Sequence, residues 1–135
     1  MRVLADTSGL LGLNRPEDRH HAQAVRIAER HKSSGGRYLG TTLVLGEFHA
    51  HLLRRRGPAY AREVLVTLLE DSDHEWAPVD EALIRDVATN WLARFPDQPF
   101  SLVDAVSFEV MRQQKLTHAF AFDRHFELAG FRLLR

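Results

Sequence analysis

The sequence predicts an α/β fold in which a parallel sheet is covered by helices on both faces. Two observations carry this. Short apolar runs of strand length alternate along the chain with longer segments of helical periodicity, the pattern of repeated βα units. The helical segments also open on capping residues and stop at Gly or Pro. The length of 135 residues is expected to make one domain, residues 1–135, with no internal repeat or linker.

The elements follow in order. Arg2 to Ala5 reads as the first strand, and Ser8 to Leu13 as a short helix that ends before Asn14-Arg15-Pro16. Glu17 to Lys32 reads as a helix with Ala22, Val25, Ile27 and Ala28 as its buried positions, stopped by Ser33-Ser34-Gly35-Gly36. Tyr38 to Thr41 is a short strand, and Leu43 to Arg56 a helix with Val44, Phe48 and Leu52 at i+4 spacing. Gly57 breaks it and Pro58 starts the next helix, to about Leu69, which makes an αα-hairpin. Glu75 to Val79 is a strand. Asp80 caps a helix to about Phe95, with Ala82, Ile84, Val87, Ala88 and Trp91 as its apolar residues. After the loop Pro96-Asp97-Gln98-Pro99, Ser101 caps a helix through Lys115, and Ser101 with Asp104 forms an S-x-x-D capping box. His118 to Phe122 is a strand, a short helix follows Asp123 and stops near Gly130, and Phe131 to Leu134 is the last strand.

Bulk properties bound the function. Lys plus Arg and Asp plus Glu both number 18, so the formal net charge is zero. A broad basic face gripping nucleic acid is therefore not expected, although local basic contacts are compatible with that balance. A net charge near zero also favours self-association or a bound partner. Cysteine is absent, which excludes a disulfide framework and a thiolate site and suits a reducing cytoplasm. Met1 to Asp6 carries charge too early for a signal peptide, and no apolar run reaches the length of a membrane span.

Four acids carry the chemistry. Asp6 follows Val3-Leu4-Ala5, Glu47 lies early in the helix after Thr41-Thr42, Asp104 sits in the first turn after Ser101, and Asp123 follows Phe120-Ala121-Phe122. In a parallel sheet the carboxyl ends of the strands converge on one edge, where ligands bind. Carboxylates gathered there raise one another's pKa unless a cation holds them. A hard divalent cation with oxygen ligands is the natural occupant, and it supports phosphodiester chemistry. Each acid also has an ordinary structural reading. Asp6 and Asp123 can cap the short helices that follow, Asp104 can favour a helix dipole, and Glu47 can pair with His51 four residues on. The conjunction at corresponding element ends is what points to a site. Asp104 adds weight, because the helix around it is apolar on nearly all sides and a buried carboxylate needs a partner.

In their local contexts these acids resemble the PIN-domain ribonucleases, in particular the VapC-type toxins of bacterial toxin–antitoxin pairs. The matching segments are Val3-Leu4-Ala5-Asp6-Thr7-Ser8, Thr41-Thr42-Leu43-Val44-Leu45-Gly46-Glu47, Ser101 to Phe108, and Ala121-Phe122-Asp123-Arg124-His125-Phe126, closed by Ala129-Gly130-Phe131. The resemblance spans the chain. It implies a three-layer α/β/α sandwich and an endoribonuclease that uses Mg2+ or Mn2+ to hydrolyse single-stranded or loop RNA, leaving 5′-phosphate and 3′-hydroxyl ends. It makes Asp6, Glu47, Asp104 and Asp123 the catalytic acids. Asp6, Asp104 and Asp123 are the expected metal ligands, with Asp123 acting through water and Glu47 positioning a water or a second ion. Ser8 matches a polar supporting position. A cognate antitoxin is implied, its extended tail lying in an apolar groove for which Leu10, Leu11, Leu13, Leu45, Leu52 and Leu53 are candidates, though each taken singly reads more readily as core. A homodimer is also implied. One departure is Ala121, where relatives often carry Thr or Ser two residues before the fourth acid.

Among the remaining features, Arg54-Arg55-Arg56 suits a helix C-terminus, with an RNA-phosphate contact as the sharper alternative. Arg124 and His125 flank Asp123 and are placed to meet substrate. His20-His21 and His49-x-His51 lack zinc-ligand spacing on one helix face. Two other functions compete. A phosphatase of the D-x-D type would need a second Asp where Ser8 stands, and a phosphoacceptor receiver would leave Glu47 unexplained. A non-catalytic module with this fold would have no need to keep the acids.

Overall fold

A computed structural model describes residues 1–135. The chain runs β1 (Arg2–Ala5), α1 (Thr7–Asn14), α2 (His21–Ser33), β2 (Arg37–Thr41), α3 (Thr42–Arg56), α4 (Pro58–Glu70) and β3 (His74–Ala77). It continues α5 (Glu81–Thr89), α6 (Trp91–Arg94), α7 (Leu102–Gln114), β4 (His118–Phe120), α8 (His125–Leu128) and β5 (Arg132–Leu133). The strands form one sheet in the order β3-β2-β1-β4-β5, and every neighbouring pair is parallel. The expected α/β/α sandwich is the observed one.

The period-two alternation of the strands builds the three layers. Val3, Ala5, Tyr38 and Phe120 face one side, against Leu10 and Leu11 of α1, Ala24 and Ile27 of α2, Val44, Phe48 and Leu52 of α3, and Leu68 of α4. Leu4, Leu39 and Ala119 face the other, against Val87, Trp91, and the run Ala105, Val106, Phe108, Val110 and Met111 of α7. Phe108 is fully buried and packs against the rings of Trp91, Phe100 and Phe126. The Trp91 indole N–H donates to Glu109 Oε1 at 3.0 Å, which satisfies the one polar atom of that ring.

Several boundaries differ from the sequence reading, for local reasons. The helix expected from Glu17 starts at His21, because Asp18 accepts the His20 N–H at 2.8 Å and Pro16 sits in the turns before it. Ala24, Ile27 and His31 are its buried residues; Ala22 is exposed and Val25 and Ala28 only half-buried. The helix expected from Asp80 to Phe95 breaks at Asn90, where the Thr89 and Asn90 side chains take the Asp86 carbonyl and ψ is −79°. Ala82 and Ala88 are exposed as a result of its orientation, while Val87 and Trp91 are buried. The third strand is His74–Ala77 rather than Glu75 to Val79, and the fourth stops at Phe120. Of the groove candidates, Leu10, Leu11 and Leu52 are core, Leu13 and Leu45 are half-buried, and Leu53 is 42% exposed. No helix is long and apolar enough to cross a membrane.

Gly9 sets how closely α1 approaches β4. A Cβ there would overlap the Phe120 carbonyl, which is backbone and cannot move aside. Gly9→Ala should therefore destabilise the fold by about 1–3 kcal/mol. Gly46→Ala on α3, where nothing lies within 4 Å of the added methyl, should stabilise it by about 0.4–1 kcal/mol. Urea unfolding of the two variants beside the parent checks both signs.

Candidate active site

The parallel sheet delivers the acids to its carboxyl edge. Asp6 is the first residue beyond β1, and its N–H donates to the Phe120 carbonyl at 3.1 Å, so the β1–β4 pairing runs one step past the strand. Its carboxylate caps α1: Oδ2 accepts the Ser8 N–H at 3.1 Å and the Ser8 hydroxyl at 2.6 Å. The same hydroxyl accepts the Phe122 N–H at 2.9 Å. Ser8 thereby ties the first acid to the segment carrying Asp123. The other Asp6 oxygen makes no hydrogen bond within the protein. Ala121 places its methyl in the apolar layer with Phe126.

Asp104 is the third residue of α7 and completes the expected capping box. Its Oδ2 accepts the Ser101 N–H at 3.0 Å, and its own N–H donates to Ser101 Oγ. Asp104 Oδ2 also lies 2.8 Å from His125 Nδ1. His125 Nδ1 is 3.3 Å from Asp123 Oδ1, which accepts the His125 backbone N–H at 2.9 Å. One ring nitrogen thus faces two carboxylates, and in the tautomer that carries the proton on Nδ1 it donates to them. Asp104, Asp123 and His125 each offer a ligand atom, all within 4.8 Å of one another, and this group can hold a metal ion.

Asp6, Glu47, Asp104 and Asp123 all line one cavity of about 320 Å³, with Ser8, Ser101, His51 and His125. Glu47 reaches it from the second turn of α3. Burial, with the nearby Arg54, lowers the pKa of His51, and Glu47 opposes that shift. Asp6 and Asp104 are the buried members, 4% and 7% exposed. Desolvation pushes the Asp6 carboxyl from 3.8 up to about 6, opposed by the Ser8 hydrogen bonds and reinforced by the negative charges of Asp104 and Asp123. Thr7 lines the cavity with a buried hydroxyl that has no partner. A buried acid deprived of counter-charge, beside further carboxylates and an orphaned hydroxyl, is a donor set that fits a hard divalent cation.

The structure therefore brings the four predicted acids and Ser8 together. It places His125 against the acids themselves, where the sequence reading expected a substrate contact. Arg124 projects beside it on the exposed rim. The reading missed His51 as part of the cavity, seeing only its i+4 spacing from Glu47. Of the Arg54-Arg55-Arg56 run, Arg56 lies over the Tyr60 ring at 4.4 Å and 3.9 Å from Glu17.

Comparison with known proteins finds relatives that match this chain along nearly its whole length. The PIN domain family model matches residues 3–132. The 23S rRNA-specific endonuclease VapC20 of Mycobacterium tuberculosis, found in two strains, is 32% identical over 132 residues, covering 96% of this chain and 95% of the relative. The crystal structure of M. tuberculosis VapC20, described as a Sarcin-Ricin loop cleaving toxin, superposes with a TM-score of 0.82 at 30% identity over 96% of this chain and 95% of that one. FitAcB from Neisseria gonorrhoeae shares the fold, with a TM-score of 0.64 at 16% identity over 100% and 97% of the two chains. The chain belongs to the PIN-domain family and is a ribonuclease of the VapC toxin type.

Proposed function

We propose that this protein hydrolyses phosphodiester bonds in single-stranded or loop RNA with Mg2+ or Mn2+ held by Asp6, Asp104 and Asp123, and with Glu47 orienting a water or a second ion. The observation that carries this is the convergence of all four acids on one cavity, with Asp6 buried and short of counter-charge. A bound divalent cation supplies acidification of a water and charge stabilisation at the phosphoryl oxygens. The chain's own contribution is orientation. Ser8 fixes the Asp6 rotamer, the α7 capping box fixes Asp104, and the His125 N–H holds Asp123. His125 Nδ1 lies close enough to Asp104 and Asp123 to steer both carboxylates or to join them as a ligand.

The specificity in the name of the M. tuberculosis relative makes a loop of ribosomal RNA the first substrate to try. As a toxin the protein would act in the cytoplasm under the control of an antitoxin. Leu13, Leu45 and Leu53 are the groove candidates left outside the core, and pairing with a second copy accords with the near-zero net charge. Purified partner-free protein with Mg2+ or Mn2+ should cut ribosomal RNA into discrete fragments. Asp104→Asn should cut at least about a hundredfold more slowly, because an amide ligand lacks the charge and metal ligation is lost. EDTA should abolish cutting. Unchanged cleavage by Asp104→Asn would refute the assignment.

The raised Asp6 pKa gives a second prediction, with its sign fixed by linkage. The folded state holds the Asp6 proton more tightly than the unfolded chain, so the stabilisation is whole below pH 3.8 and is lost as pH rises through about 6. Between about pH 4 and pH 7 the metal-free protein should lose about 2 kcal/mol relative to Asp6→Asn, which has no proton to release there. Mn2+ at pH 7.5 should raise the melting temperature of the parent and leave Asp6→Asn nearly unmoved. Urea and thermal unfolding across that range measure both effects.

A further inference from the structure

A second, larger hollow of about 900 Å³ adjoins the acidic cavity, and the two share Ser8, Leu11, Pro99, Asp123 and His125 in their walls. The hollow therefore leads directly away from the acids, and its chemistry is of another kind. The rings of His20 and Phe122 lie in its wall, stacked at 4.4 Å between centroids and within 1° of parallel. Phe122 is backed by Gly12, where its ring leaves no slack: a Cβ on Gly12 would stand 3.1 Å from it. The Arg19 Nε donates to His20 Nε2 at 3.1 Å, fixing the outer ring in its plane.

The charge around this stack is selective. Arg15, Arg19 and Arg124 line the hollow. Arg15 is paired with Glu17 at 3.2 Å, whereas Arg19 and Arg124 are exposed and neither forms an ion pair with a carboxylate. Of the three acids in the wall, Glu17 is paired with Arg15 and Arg56, Asp18 accepts the His20 N–H, and Asp123 belongs to the acidic cavity and accepts the His125 N–H. What remains free is a flat ring platform flanked by two unpaired cations, continuous with the carboxylate cavity. Aromatic platforms beside cations are how proteins hold unpaired nucleotides without reading their sequence.

We infer that the His20–Phe122 stack is a nucleobase platform that receives an unpaired base next to the scissile phosphate, with Arg19 and Arg124 on the adjoining phosphates. This rests on the ribonuclease reading above and adds a positioning surface to it. An RNA strand laid along the hollow puts one phosphate over the acids while the neighbouring base stacks on His20. A base held in a duplex cannot reach the platform, so the surface selects loops and single strands. His20 and Arg19 lie on the turns before α2, remote in sequence from all four acids.

The test is equilibrium binding of a fluorescein-labelled ten-nucleotide oligoadenylate in Mg2+, in an Asp104→Asn background that suppresses cleavage. His20→Ala should weaken binding about fivefold or more, the loss expected for one base stack. His20→Phe should bind within about twofold of its parent, because it keeps the ring. Arg19→Ala should reduce the slope of log affinity against log salt by about one. The same strand annealed to its complement should be indifferent to residue 20. Parent-like binding by His20→Ala, or His20→Phe as weak as His20→Ala, would overturn the platform. Cleavage of ribosomal RNA by the wild-type chain, run in parallel, separates the two ideas. Cleavage without any effect at residue 20 refutes the platform alone, whereas neither binding nor cleavage by the parental proteins refutes both.

Discussion

The parallel pairing of β1 with β4 is the contact on which the site depends, because it joins the first acid to the last. Asp6 N–H reaches the Phe120 carbonyl, and the Ser8 hydroxyl links Asp6 to the Phe122 N–H across 114 residues of sequence. These bonds hold two chain segments whose side chains repel each other. The folding free energy of the sheet and its two apolar layers sustains the burial of Asp6, whose elevated pKa comes first from desolvation and then from the charges of Asp104 and Asp123. Gly9 belongs to the same seam, since only a residue without Cβ lets α1 rest on the Phe120 carbonyl.

Much of this was legible in the sequence because the determining interactions are local. The caps at Asp80 and at Ser101 with Asp104, and the Pro58 helix start, are each set within three or four residues and form as expected. The strand order was not read, but the acids were, because strand ends in a parallel sheet share an edge whatever their order. The failures are also local in origin. Asp18 and Asn90 each divert a helix by offering a side-chain partner to a backbone group, a competition that apolar periodicity does not register.

What could not be read was contact between distant segments. His125 sits 21 residues from Asp104, and nothing in its neighbours announces that its ring nitrogen meets that carboxylate. Its proximity to Asp123 in sequence suggested only a substrate contact. The His20–Phe122 stack is likewise a product of the fold, made where the turns before α2 cross the end of β4. Gly9 looked like an ordinary helix residue until β4 was seen beneath it.

The site thus divides its labour by layer. The sheet edge gathers negative charge, the capping hydrogen bonds orient it, and the turns before α2 surround it with rings and cations that suit nucleic acid despite a net charge of zero. The measurement that tests this most directly is anomalous diffraction from crystals soaked in Mn2+. The account predicts a peak in the cavity within coordination distance of Asp104 and Asp123 oxygens, with Asp6 bound directly or through water. A Mn2+ peak confined to surface histidines, with that cavity empty, would contradict it.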